Sequence, residues 1–253
     1  MTDLTGQRII VTGGASGMGA ALLAPLAAAG AKVVSLDLNE AAGRAEADAA
    51  GIAGFVRCDV SDKASVDAAF GEASALLGGL DTLVHAAGIA PASPAADITP
   101  EAWDQVFAVN ARGTMLTNQA AFRLLSASGG RIVNFASGAG VSGQPNKAHY
   151  SATKGAVIAW SRTAAKEWGQ HNVTVNMIAP AISTPMYAKT RSEMSPDRLA
   201  ALDARLAADM PIDGRLGEVQ RDLVPLMLFL CTDGARFITG QIFAVDGGLL
   251  MVR

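Results

Sequence analysis

Apolar runs of four to six residues recur along this chain, and most do not alternate with polar positions. Runs that are apolar throughout suit strands buried on both faces of a parallel sheet. The expected strands are Arg8–Val11, Lys32–Leu36, Gly54–Arg57, Thr82–His85, Arg131–Phe135, Thr174–Ile178 and Phe243–Val245. Between them lie alanine-rich stretches with helical spacing: Gly17–Ala29, Glu40–Ala50, Lys63–Leu77, Pro100–Ala127, Ala148–Gln170 and Glu218–Thr232. Regular strand–helix alternation predicts an α/β fold, a single Rossmann-type doubly wound parallel sheet of about seven strands flanked by helices. No repeat, low-complexity tract or linker divides it, so residues 1–253 read as one domain.

Three segments disturb the pattern. Pro25 falls past the first turn of the first helix, where it removes a hydrogen bond and should kink the chain. Pro225 implies that Glu218–Thr232 is bent or split into two short helices. Thr184–Gly217 contains no expected strand. It holds one helix, with Ser195 as N-cap, Pro196 in first position, and Leu199, Leu202 and Leu206 at helical spacing. It follows the sixth strand at the carboxyl edge of the sheet, where open α/β sheets bind ligands, so it is expected to form a substrate lid; an oligomer-contact arm is the alternative.

Composition narrows the class. Half of the 253 residues are hydrophobic and 17% are charged, enough for a sizeable core. The net charge of -3, without a basic stripe, argues against nucleic acid as a partner. The longest apolar run, Leu223–Cys231, is far short of a membrane span, and MTDLTGQ does not resemble a secretory signal. Cys58 and Cys231 lack metal-ligand spacing, which favours free thiols, and no metal site is expected. A cytoplasmic protein is the expectation.

The turn after the first strand reads Thr12-Gly13-Gly14-Ala15-Ser16-Gly17-Met18-Gly19. Glycines between a strand and a helix let the backbone approach a pyrophosphate, and the N–H groups opening the helix attract the anion. Asp37 ends the second strand about 20 residues later, as expected for a carboxylate on an adenosine ribose. Its charge would repel a 2′-phosphate, and no Arg or Lys stands at Ala15, Ser16 or Leu38, so NAD is expected rather than NADP. Capping of the helix near Glu40 is the structural alternative for Asp37. Tyr150 and Lys154 lie one helical turn apart. An ammonium beside a phenol favours phenolate, so Lys154 is expected to lower the Tyr150 pKa and suit it to acid–base work. An aromatic ring packed on a lysine stem is the bland reading of that pair.

Together these motifs resemble the short-chain dehydrogenase/reductase family, over nearly the whole chain. The glycine turn matches at Gly13, Gly17 and Gly19, and Asp59-Val60 matches the adenine-contacting pair. His85-Ala86-Ala87-Gly88 stands where the family has Asn-Asn-Ala-Gly. Asn110, Ser137, Tyr150 and Lys154 match the catalytic set, with Tyr150 13 residues after Ser137. Pro180-Ala181-Ile182-Ser183-Thr184 matches the segment beside nicotinamide.

The resemblance implies that Tyr150 exchanges a proton with the substrate oxygen, Ser137 bonds the same oxygen, Lys154 holds the nicotinamide ribose, and Asn110 positions a relay water. It implies cofactor contacts at Gly13, Ser16, Gly17, Met18, Gly19, Asp37, Asp59, Val60, Ala87, Gly88, Tyr150, Lys154, Pro180, Ile182 and Thr184. Substrate-wall positions are Ala139, Val141, Gln144, Met186 and Tyr187, with the rest of Gly138–Val141, Ala90–Ser93 and Ala181 as wider candidates. These are mostly small or apolar, which predicts an uncharged substrate, with Lys189 and Arg191 as the alternative carboxylate clamp.

The expected function is thus NAD-dependent hydride transfer between NAD(H) and a secondary alcohol or ketone. The alternatives are an NADP-preferring 3-oxoacyl-type reductase, a nucleotide-sugar epimerase of the extended branch, and a catalytically idle NAD-sensing scaffold. The family further implies a homotetramer with Pro100–Ala127, Ala148–Gln170 and the C-terminal segment at its interfaces.

Overall fold

A computed structural model describes residues 2–250, apart from the side chains of Pro185, Met186 and Lys189. Its strands are β1 (Arg8–Thr12), β2 (Lys32–Asp37), β3 (Gly54–Arg57), β4 (Thr82–His85), β5 (Gly130–Phe135), β6 (Val173–Pro180), β7 (Ile182–Ser183), β8 (Gly217–Glu218) and β9 (Ile242–Val245). Its helices are α1 (Gly17–Ala28), α2 (Glu40–Ala50), α3 (Lys63–Leu77), α4 (Pro100–Phe107), α5 (Gly113–Leu125), α6 (Ala139–Ser142), α7 (Ala148–Trp168), α8 (Pro185–Ser192), α9 (Pro196–Asp209) and α10 (Val224–Leu230).

Seven strands form one parallel sheet in the order β3-β2-β1-β4-β5-β6-β9. The chain winds outward from β1 through β3, then returns to lay β4 on the other side of β1. The carboxyl ends of β1 and β4 therefore part around a crevice at this switch point, where such sheets take ligands. Both faces are covered. Ile10, Val34, Leu36, Leu83 and Ile132 pack on one side with Val66, Phe70, Leu125 and Trp168. Ile9, Val11, Val33, Val84 and Val133 pack on the other with Leu22, Leu26, Met227 and Leu230. Successive strand residues thus enter opposite cores, which is why the strands are apolar throughout.

Helix boundaries follow local chemistry. Asn39 caps α2 by accepting from Ala42 N at 3.2 Å, Asp62 caps α3, and glycines in the left-handed region, Gly51 and Gly78, end both. Pro25 does not end α1, which runs to Ala28. The N–H that proline lacks would have bonded Ala21 O, and Gln220 Nε2 donates to that carbonyl instead, at 3.2 Å. Pro225 does split its segment: a π-helical turn spans Val219–Leu223, and α10 starts at Val224 with Pro225 in its first turn.

The long expected helix Pro100–Ala127 is also interrupted. Its halves, α4 and α5, join through a π-helical turn at Ala108–Arg112 that carries the buried Asn110. The excursion after β6 contains α8 and α9, with Ser195 accepting from Arg198 N at the start of α9. It is not wholly free of strand. Gly217 N donates to Ala181 O at 3.0 Å, and a two-residue parallel ladder pairs β8 with β7. The excursion is thereby tied back to the strand end it departs from. Among the described residues, no helix is long and apolar enough to cross a membrane.

Candidate active site

A cavity of about 770 Å³ lies at the switch point and runs from the glycine turn to Tyr150. Gly13 and Gly17 adopt φ of 75° and 60°, the left-handed region that penalises a side chain. A Cβ on Gly13 would stand 2.7 Å from Ala87 N, and one on Gly19 would overlap the Gly13 carbonyl. The turn is therefore folded tightly on itself and on the β4 loop. At Gly17 a Cβ would meet nothing, and Ser16, Gly17, Met18 and Gly19 all line the cavity at the start of α1. The positive end of the α1 dipole thus borders this space.

Asp37 stands at the end of β2 on the cavity wall. Its Oδ2 accepts from Ala15 N at 3.1 Å and its Oδ1 from Asn39 N at 2.9 Å. It organises the turn before α2, while Asn39 supplies the cap of that helix. Each carboxylate oxygen retains a lone pair for a ligand. Asp59 and Val60 continue the wall, with Asp59 Oδ1 accepting from Ser61 N and Oγ.

His85 ends β4 fully buried. Its Nδ1 lies 2.8 Å from Thr12 Oγ1 and 3.1 Å from Thr117 Oγ1, and its Nε2 has no partner. Burial, aided by the nearby Lys154 charge, pushes its pKa down to about 3. It is thus a neutral strut between β1, β4 and α5. Beyond it, Ala87, Gly88, Ile89 and Ala90 border the cavity.

Asn110 does not reach the cavity lining. Its Oδ1 accepts from Ile89 N at 2.8 Å, and its Nδ2 donates to Ile89 O at 2.8 Å and Thr153 Oγ1 at 3.1 Å. The π-helical turn that presents this side chain thereby pins the β4 loop to α7.

Tyr150 and Lys154 share a face of α7. The Lys154 ammonium is buried, lies 5.7 Å from the centre of the Tyr150 ring, and donates to Phe135 O at 2.6 Å. Burial lowers its pKa to about 8. The expected lowering of the Tyr150 pKa is not what this arrangement produces. Burial raises it, and a hydrogen bond with the Ser137 hydroxyl only opposes that shift. The physical reason is that desolvation of the phenol outweighs the help from Ser137, while the Lys154 ammonium donates to the Phe135 carbonyl. Ser137 Oγ also accepts from Ala139 N at 3.1 Å, at the start of α6. A Cβ on Gly140 would stand 2.6 Å from the Lys154 backbone, so α6 packs directly on α7 at this lysine.

The cavity thus gathers Gly13, Ser16, Gly17, Met18, Gly19, Asp37, Asp59, Val60, Ala87, Gly88, Ser137, Gln144, Tyr150, Ile182, Thr184 and Tyr187. Pro180 ends β6 outside its lining. Ala139 is buried in α6 and Val141 faces solvent, 45% exposed, so neither borders it. The Met186 and Lys189 side chains lie outside the described residues. Arg191 is engaged with Asp203 at 2.6 and 3.0 Å. One lining residue had no signal in the motifs: Lys147, three residues before Tyr150, with its ammonium 5.9 Å from the Tyr150 ring centre on the side toward Ala90 O. The i, i+3 spacing to Tyr150 was the available clue.

A family model described as enoyl-(acyl carrier protein) reductase matches residues 13–250. The chain is 40% identical to cis-4-hydroxycyclohexanecarboxylate dehydrogenase of Sinomonas cyclohexanicum, over the whole of both chains. It is 37% identical to 2,5-dichloro-2,5-cyclohexadiene-1,4-diol dehydrogenase of Sphingobium indicum, again over the whole of both. Among solved structures, a putative short-chain alcohol dehydrogenase from Sinorhizobium meliloti superposes with a TM-score of 0.89, at 33% identity over 98% of each chain.

Proposed function

The chain belongs to the short-chain dehydrogenase/reductase family, and we propose that it is an NAD-dependent dehydrogenase of a small secondary alcohol, with Tyr150 as the acid–base. The observation that carries this reading is the one cavity that joins the glycine turn and Asp37 to Ser137 and Tyr150. The residues fit a nicotinamide dinucleotide. Glycines leave room for a pyrophosphate at the head of α1, and Asp37 faces the cavity with lone pairs free for ribose hydroxyls. A 2′-phosphate would face that carboxylate, and Ala15, Ser16 and Leu38 offer it no cation.

The bound nicotinamide supplies the hydride acceptor for the alcohol's carbinol carbon, or the donor for a ketone. Tyr150 Oη takes the hydroxyl proton during oxidation and returns it during reduction. Ser137 Oγ bonds the same substrate oxygen and orients it toward the phenol. Lys154 places a positive charge beside the ring, which favours the phenolate that must be present to take the proton. Asn110 acts as a positioning residue. With both side-chain N–H groups spent on Ile89 and Thr153, a relay water must bond to other groups. The α8–α9 excursion brings Thr184 and Tyr187 to the cavity rim and serves as its lid. We expect a cytoplasmic homotetramer, with Trp103 stacked on Phe107 at 4.6 Å in an exposed α4 face as one assembly surface.

The relatives named above act on hydroxylated six-membered rings, which supports a cyclic secondary alcohol as the first substrate class to try. The test is NADH absorbance on mixing enzyme, NAD and a panel of cyclic and acyclic secondary alcohols. Turnover with NAD and its loss in Tyr150→Phe are the expected results. No turnover of any alcohol or ketone with either dinucleotide sinks the reading.

A further inference from the structure

Lys147 lines the substrate end of the cavity and has no acidic partner among the described residues. Its ammonium donates to a neutral main-chain group, Ala90 O, which leaves two of its three N–H bonds for a ligand. The cavity's carboxylates, Asp37 and Asp59, belong to the glycine-turn end. Around Tyr150 the lining is otherwise neutral among the described residues: Ile89, Ala90, Ser137, Gln144, Thr184 and Tyr187. Arg191 is already spent on Asp203.

Nor is Lys147 a freely swinging surface lysine. Its backbone is bridged to Ser93, Ser93 N donates to Asn146 O at 2.9 Å, and Asn146 holds a φ of 59°. It stands at the N-cap of α7, a 21-residue helix with no acidic residue in its first turn and no side-chain cap. A cation there opposes the helix dipole, so local structure alone disfavours it. An anion at that point would be attracted both by the ammonium and by the positive end of the helix. Partial burial already lowers the Lys147 pKa, and the same poorly solvated wall strengthens its attraction for an opposite charge.

We propose that Lys147 binds a carboxylate on the substrate, so that the preferred alcohol is a compact hydroxy acid rather than a neutral alcohol. The Nζ lies 5.9 Å from the Tyr150 ring centre, so the charge and the phenol are close enough for one compact substrate to meet both. This inference rests on the dehydrogenase reading and deepens it.

The test compares wild type, Lys147→Met and Lys147→Arg on matched pairs, 4-hydroxycyclohexanecarboxylate and its methyl ester, with NAD. Wild type should favour the acid over the ester in kcat/KM by about tenfold, the worth of one good charge-assisted contact. Lys147→Met should abolish that ratio chiefly through KM, and Lys147→Arg should keep most of it. Because the readout is a ratio within each variant, a general loss of activity cancels. An acid-to-ester ratio that is the same in wild type and Lys147→Met overturns the proposal. Binding of unreactive cyclohexanecarboxylate, followed by calorimetry with and without NADH, separates the two readings. Binding weakened about tenfold by Lys147→Met supports the anion site even if no alcohol turns over. Absent or equal binding in both proteins removes the site, even if neutral alcohols are oxidised and the dehydrogenase reading stands.

Discussion

The Lys154 ammonium lies 5.7 Å from the centre of the Tyr150 ring, yet its hydrogen bond goes to the Phe135 carbonyl. The charge therefore acts on the phenol through space, from a buried position that costs stability. A lysine whose folded pKa is depressed destabilises the fold while it is protonated. That cost is full below about 8 and fades as pH rises toward the usual 10.5. Lys154→Met should thus raise the thermal midpoint at pH 7 by at least about 2 °C while abolishing turnover. The gain should shrink in melts at pH 9 and above. A midpoint that drops at pH 7 contradicts this account of the lysine.

Tyr150→Phe removes the proton carrier but leaves the ring and its packing. Activity should fall by about 10²–10⁴-fold with the thermal midpoint nearly unchanged. Because burial raises the Tyr150 pKa, the protein alone holds this residue as phenol at neutral pH. Alcohol oxidation needs a proton acceptor, so wild-type kcat/KM for oxidation should climb between pH 6 and 9. Ketone reduction should not climb with it. Flat profiles in both directions would argue for a different base.

Asp37→Ala deletes a carboxylate that accepts from Ala15 N and Asn39 N and faces the cavity. The ratio of kcat/KM for NAD over NADP should drop by about tenfold or more, through loss of ribose bonding and of repulsion toward a 2′-phosphate. Initial rates with the two dinucleotides decide it, and an unaltered ratio removes Asp37 from the specificity determinants.

His85 gives the fold an acid weakness. Its folded pKa of about 3 lies below the usual 6.5, so between those values the unfolded chain binds one more proton than the folded one. Stability is therefore lost as pH falls through that window, by about 1.4 kcal/mol per pH unit for this group. His85→Asn should flatten the fall in denaturant midpoint between pH 6.5 and 4.5 by that slope, whatever it does to stability at pH 7. Equal slopes in the two proteins exclude His85 as the cause.

Much of the site was legible because its parts obey local rules. Gly13 and Gly17 need φ values that other residues resist, Asp37 sits where a strand ends, and Tyr150 and Lys154 share a face by helical spacing. What was not legible depends on partners far away in the chain. Pro25 was expected to cost α1 a hydrogen bond, and the carbonyl it leaves bare is bonded by Gln220, 195 positions later. The π-helical turn at Ala108–Arg112 carries no sequence signature, and its Asn110 is committed to Ile89 and Thr153. Val141 was expected on the substrate wall, yet α6 turns it to solvent as that helix packs on α7.

By itself, the sequence determined the alternation of two-face-buried strands with helices, the glycine turn and the spacing of Ser137, Tyr150 and Lys154. Period, turn chemistry and i, i+4 geometry act over a few residues and need no knowledge of the rest of the fold. The tertiary structure alone decided the protonation landscape and the reach of the side chains. It buried Tyr150 until its pKa rose, turned a Lys154 N–H to a main-chain carbonyl, kept His85 neutral, and set Lys147 on the cavity wall. Desolvation and hydrogen-bond competition are properties of a packed surrounding, and that surrounding is assembled from segments distant in the chain.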